Sequence, residues 1–276
     1  MLGILFILAG GYAYLLAHVG CIGTHDSLDS LGYISEPVEF KTAEGYSIRG
    51  WFTRGSRLPE VVIIVLPGMS GDTQLALADS KVLADAGYST LIYEHRSCSD
   101  PELLHSGGYL EADDLLSAVE FLESRGDVRH IGVLGFSTGG TAALLAAAET
   151  QRIEAVIAEG APAKFLKDAQ FKLGTTNPVE GLLHSLVLAL YRLQVGLPSD
   201  VLEPVEAIGH ISPRPVFLIY GEYEASKGEV LYAQAGQPKK LWIVPGVGHG
   251  GYQAAHPQDY ESQIINFYNN HFNTTP

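Results

Sequence analysis

The sequence predicts an α/β fold, a mostly parallel sheet of eight strands with helices on both faces. Three observations carry the prediction. Short apolar runs recur at 61–66, 89–93, 130–135, 154–158, 216–220 and 241–244. They lack the polar alternation of half-exposed strands and read as strands buried on both faces. Helical stretches lie between them, at 75–87, 111–126 and 138–148, and strands alternating with helices build a parallel sheet through right-handed crossovers. Finally, the fifth strand passes into a helix through Gly135-Phe136-Ser137-Thr138-Gly139. Glycines flanking a serine in so abrupt a turn remove the Cβ clashes that its strained backbone would otherwise create.

In chain order, residues 2–22 come first and contain no Lys, Arg, Asp or Glu. As a helix they would span about 30 Å, enough for a hydrocarbon core. A secretory signal normally opens with basic residues, whereas the first Lys or Arg here is Lys41. Residues 1–23 are therefore expected to be a retained N-terminal membrane anchor. A signal cleaved from a secreted protein and a buried core helix are the alternatives. Residues 24–37 are polar and read as a linker, and the main domain spans 38–276.

Within that domain, 38–42 and 46–53 read as a hairpin around Ala43-Glu44-Gly45. The helix at 75–87 begins behind Asp72 and stops at Gly87. The helix at 111–126 puts Leu115, Ala118, Val119 and Leu122 on one face. Residues 162–213 interrupt the alternation and carry Leu183, Leu186, Val187 and Leu190 at helical spacing, which predicts a lid. Tyr260, Ile264 and Phe267 form the apolar stripe of a closing helix behind Pro257.

Composition narrows the function. With 46% apolar and 17% charged residues the 276-residue chain can build a large core. A net charge of −14 with only 17 scattered Lys and Arg excludes nucleic acid as an expected partner. Cys21 and Cys98 make no disulfide or metal pattern, and the ten histidines lack zinc-type spacing. No cofactor and no metal are expected.

A serine hydroxyl needs a base, and the base an orienting acid. In a parallel sheet such groups lie on loops after the carboxyl ends of strands. Ser137 follows the fifth strand. His249 follows the eighth, in the loop Gly248-His249-Gly250-Gly251, with His256 a weaker substitute. Glu222 and Glu224 follow the seventh strand and Glu159 the sixth; spacing favours Glu224 as the acid. The order Ser, acid, His is the one this turn motif uses. An oxyanion needs two backbone N–H groups. Thr138, at the helix start, and Met69, in Pro67-Gly68-Met69-Ser70-Gly71, are the candidates.

Residues 38–272 resemble the α/β-hydrolase superfamily, and most closely its bacterial serine-aminopeptidase-like and BEM46-like branch. Besides Gly135-Phe-Ser137-Thr-Gly139-Gly140, the resemblance rests on Gly50-Trp51-Phe52, Ala86-Gly87-Tyr88, the stretch 211–221, and 238–250 around His249. It implies an α/β-hydrolase fold with Ser137 as nucleophile, His249 as base and Glu224 as acid. Three departures stand out. Pro67-Gly68 replaces the family's His-Gly, Glu94-His95-Arg96-Ser97-Cys98-Ser99 replaces Asp-x-Arg-Gly-x-Gly, and the acid is Glu rather than Asp.

These readings converge on a membrane-associated serine hydrolase that cleaves a carboxylic ester, or an amide, through an acyl-enzyme. The apolar lid suggests a hydrophobic acyl group, and a bilayer would supply lipid-like esters. Two other readings fit the same residues. One is a non-catalytic binding or scaffold protein; the other is an acyltransferase or perhydrolase using the same triad.

Overall fold

One eight-stranded sheet forms the centre of the computed structural model, which describes residues 2–19, 27–69, 71, 73–100, 102–168, 178–198 and 200–272. Its strands are β1 (Ser35–Lys41), β2 (Ser47–Thr53), β3 (Leu58–Leu66), β4 (Tyr88–Tyr93), β5 (His130–Phe136), β6 (Ala155–Glu159), β7 (Val216–Gly221) and β8 (Lys239–Val244). They lie in the order β1-β2-β4-β3-β5-β6-β7-β8. β2 runs antiparallel to β1 and β4, and all the other pairings are parallel. The predicted fold class is thus observed.

The longer helices are α1 (Leu2–Ala17), α2 (Thr73–Asp85), α3 (Tyr109–Ser124), α4 (Thr138–Glu149), α5 (Pro178–Val195), α6 (Ala225–Gln234) and α7 (Pro257–Phe272). Side chains alternate along the buried strands, so each strand supplies two cores. Val62, Ile64, Val133, Val156 and Leu218 point toward α3 and α4. Val61, Ile63, Leu134, Ile157 and Phe217 point toward α2 and α7. This double burial explains why the sequence shows continuous apolar runs there.

The sheet reverses its winding direction at β3. The chain steps from β3 outward to β4, then returns to place β5 on the other side of β3. At such a switch point two loops diverge above the strand ends and leave a crevice. Here the diverging segments are the loop after β3, which carries Pro67-Gly68-Met69, and the turn from β5 into α4, which carries Ser137.

Two expectations are corrected. Among the described residues no helix is long and apolar enough to cross a membrane. The membrane anchor expected over residues 2–22, with the membrane as partner, is therefore withdrawn; positions 20–22 lie outside the described residues. α1 has 16 residues and packs against α5 through Ala9, Ala13 and Ala17, which share a cluster with Val187 and Tyr191. The i, i+4 spacing puts these small residues on one face, where they permit close helix approach. Hydropathy alone cannot separate that helix from a membrane span. The second correction concerns the cysteines: Cys98 is disulfide-bonded, although two isolated cysteines offer no spacing pattern. The sequence's other cysteine, Cys21, lies outside the described residues.

Candidate active site

Ser137 is the one non-glycine residue with positive φ among the described residues (φ 54°, ψ −115°). The turn from β5 into α4 forces that conformation, and the surrounding glycines make it feasible. A Cβ on Gly135 would fall 2.3 Å from the Gly139 carbonyl oxygen, and one on Gly139 would fall 2.4 Å from that of Pro67. The Ser137 amide donates to the Glu159 carbonyl at 2.7 Å, which ties the turn to β6.

The strained serine presents its hydroxyl to His249. Ser137 Oγ lies 2.9 Å from His249 Nε2. The other ring nitrogen, Nδ1, lies 3.0 Å from Glu224 Oε2 and 3.3 Å from Oε1. A carboxylate accepting at Nδ1 places the ring proton there and leaves the Nε2 lone pair facing the serine. Burial alone would raise the pKa of Glu224. Hydrogen bonds from His249 and from the Tyr252 hydroxyl, the latter 2.7 Å from Oε1, outweigh it and hold the carboxyl below its ordinary value. Phe136 lies against the imidazole, with ring centroids 5.0 Å apart.

The other predicted residues fall elsewhere. Glu222 is exposed, and its Oε2 accepts the Gly246 amide at 2.8 Å, bracing the His249 loop from outside. Glu159 is buried below the turn, where its Oε1 lies 2.7 Å from the Tyr260 hydroxyl, beside Asp79. His256 donates from Nε2 to the Pro245 carbonyl at 3.2 Å. Of the three candidate acids, the structure brings Glu224 to His249.

Thr138 opens α4, so its amide lies outside that helix's own ladder. Met69 follows Gly68, and a Cβ on Gly68 would fall 3.3 Å from that of Ser137. Both candidate oxyanion donors therefore border Ser137. The altered stretch after β4 supports this loop. Arg96 pairs with buried Asp114 through two hydrogen bonds of 2.9 and 2.8 Å. His95 lies 3.3 Å from the Pro67 carbonyl. The altered stretch thus reaches the loop after β3 through a side chain, that of His95.

One further cluster has metal-ligand chemistry. His95, His105 and Glu111 are buried, with ligand atoms within 4.8 Å of one another. Two of the three already accept hydrogen bonds from backbone amides. His105 Nδ1 accepts the Gly107 amide at 3.1 Å, so Nε2 carries the ring proton, and Glu111 accepts the amides of Ser106 and Gly108. We assign no metal role to these residues.

This architecture and switch point define the α/β-hydrolase fold. Comparison with solved structures agrees. The chain superimposes on an esterase, Pf2001 of Pyrococcus furiosus, with a TM-score of 0.72 and 18% identity, over 90% of this chain and 97% of that one. It also matches Est1E of Butyrivibrio proteoclasticus with ferulic acid bound, at TM-score 0.66 and 17% identity, over 86% and 100%. In sequence it is similar to the uncharacterised protein YfhR of Escherichia coli O157:H7, 25% identical over 246 residues, 84% of this chain and 80% of that protein. A scan against models of known protein families finds no match.

Tyr252 escaped the sequence reading. It lies three residues after His249, but nothing local aims a tyrosine at a carboxylate 28 positions upstream.

Proposed function

We propose that the protein is a serine hydrolase that cleaves carboxylic esters through an acyl-enzyme intermediate. The observation that carries this reading is the continuous line from Ser137 Oγ through His249 to Glu224, with contacts of 2.9 and 3.0 Å. His249 takes the serine proton as Oγ attacks the ester carbonyl. The tetrahedral oxyanion is stabilised by the amides of Met69 and Thr138. His249 then gives the proton to the leaving alkoxide, and the acyl-enzyme forms. A water attacks in the second half, with His249 again as base, and releases the acid. Glu224 keeps the imidazole in one tautomer and stabilises the imidazolium.

The esterase among the similar structures and the ferulic acid bound to Est1E support a small ester as substrate. Residues 162–213 act as a lid in this reading. Phe165, Leu166 and Val187 in that segment share one apolar cluster with Met69 and Leu104, which favours an apolar acyl group. A fluorophosphonate probe tests the proposal. Wild type is expected to label covalently and Ser137→Ala not at all, and an acyl-ester panel should favour medium over short chains. Folded wild type that neither labels nor turns over an ester would refute the reading.

A further inference from the structure

The loop that carries His249 delivers a second side chain to the same carboxylate. Gly250 and Gly251 both adopt left-handed backbone angles, φ 95° and 75°. The turn they make starts a short helical segment at Tyr252, which is buried with its hydroxyl 2.7 Å from Glu224 Oε1. The closest contact of His249 is with Oε2, so the two oxygens are divided between two donors. The space beneath them is tight. A Cβ on Gly160 would fall 2.9 Å from the Tyr252 hydroxyl and 3.0 Å from His249 Nδ1.

A glutamate carries one more rotatable bond than an aspartate, and its terminal torsion has a broad minimum. Held at one oxygen only, the carboxylate would swing and carry Oε2 away from the imidazole. Other groups face Glu224 but do not fix it in this way. Lys227 Nζ lies 3.6 Å from Oε2, on the same oxygen as His249, and its side chain is more than a third exposed. The Tyr220 hydroxyl is committed to the Ala161 carbonyl at 2.5 Å. Tyr252 supplies the buried donor on the second oxygen.

We propose that Tyr252 is a positioning residue: its hydroxyl fixes the Glu224 carboxylate, as the anion, in the orientation that meets His249 Nδ1. This rests on the Ser137–His249–Glu224 reading above. It assigns the second anchor that a glutamate needs where the resemblance expects the shorter aspartate.

The experiment compares ester hydrolysis by wild type, Tyr252→Phe, Glu224→Gln and the double variant across pH. Phenylalanine keeps the ring and its packing and removes only the donor. Loss of one hydrogen bond to a charged group predicts a kcat about ten- to a hundredfold lower, with KM changed less than about twofold. The acid limb of kcat/KM reports His249 as the base; a carboxylate no longer held at Nδ1 stabilises the imidazolium less, so that limb moves downward. In the Glu224→Gln background, Tyr252→Phe should cost nothing further. A wild-type rate and profile in Tyr252→Phe, or an equal loss in both backgrounds, would overturn the proposal. Should the Phe variant not fold, 3-fluorotyrosine at position 252 keeps the test open. Its more acidic hydroxyl, the stronger donor, is expected to move the acid limb upward, and no movement would again overturn the inference. Ser137→Ala serves as the separate control. If it retains turnover and probe labelling, the triad reading itself fails, whatever Tyr252 does.

Discussion

Glu224 and Glu159 stand at the ends of neighbouring strands, β7 and β6, and each has a carboxyl oxygen 2.7 Å from a tyrosine hydroxyl. They nevertheless hold different protonation states. At Glu224 the other partner is His249, a donor, and the carboxyl is held below its ordinary pKa against the effect of burial. At Glu159 the neighbour is Asp79, another acid. Burial first, then the charge of Asp79, pushes Glu159 well above the carboxylate range. Burial likewise raises Asp79, to about 7.

Proton counting reaches the same answer. The Tyr260 oxygen lies 2.6 Å from Asp79 and 2.7 Å from Glu159, and its single proton can serve only one of them. The other contact requires a proton on a carboxyl group. One tyrosine hydrogen bond does not decide whether a buried carboxyl is charged; the next partner does. The anionic site can orient a histidine. The other site, which retains a proton, braces the sheet beneath Ser137.

The comparison breaks most readily at Glu224. Glu224→Gln is expected to lower kcat by about 10³–10⁴-fold, because the neutral amide no longer fixes the tautomer or the imidazolium. Steady-state rates on an activated ester measure this, and a loss under about tenfold would remove Glu224 from the triad.

Stability against pH tests the other site. Asp79 and Glu159 titrate higher folded than unfolded, so the native state binds more protons above about pH 4. Their contribution is fully present below that pH. It declines as pH rises through about 7, the region to which Asp79 is pushed. Asp79→Asn keeps an acceptor for Tyr260 and cannot ionise. At pH 8 it should therefore be more stable than wild type by about 1–3 kcal/mol in denaturant titrations, with little gain at pH 4. A gain independent of pH would mean that the pair carries no proton.

Smaller effects sharpen the contrast. Glu159→Gln should leave kcat/KM within about threefold, under about 1 kcal/mol in the barrier. A loss approaching that of Glu224→Gln would make Glu159 the working acid. Glu222→Gln removes only charge from an exposed contact with the Gly246 amide, and should change neither stability nor rate by more than about 0.5 kcal/mol. A larger shift in the melting curve or kcat would show that the outer brace shapes the loop.

How much of this was legible in sequence follows from how local each cause is. β5 and the Ser137 turn could be read because an apolar run, two close glycines and an alanine-rich helix share one short stretch. The position of His249 could be read from topology, since loops at the carboxyl ends of parallel strands share one edge. The acid was less legible. Glu222, Glu224 and Glu159 are alike as sequence, and a difference of two positions in one loop determines whether the carboxylate faces solvent or the imidazole. The contact with Tyr252, 28 residues from Glu224, leaves no spacing signal. The alanine face of α1 was present as Ala9, Ala13 and Ala17 but was masked by the hydropathy of the whole segment.

Sequence by itself determined the sheet of eight strands, the strained serine and the edge where a base would arrive. Those depend on backbone sterics and on burial of nearby side chains, which a short stretch of chain specifies. Tertiary structure decided which carboxylate meets His249, which pair of acids keeps a proton, and where the N-terminal helix buries its small residues. Those outcomes depend on the distance and dielectric between groups far apart along the chain, which exist only once the sheet has brought β6, β7 and β8 side by side.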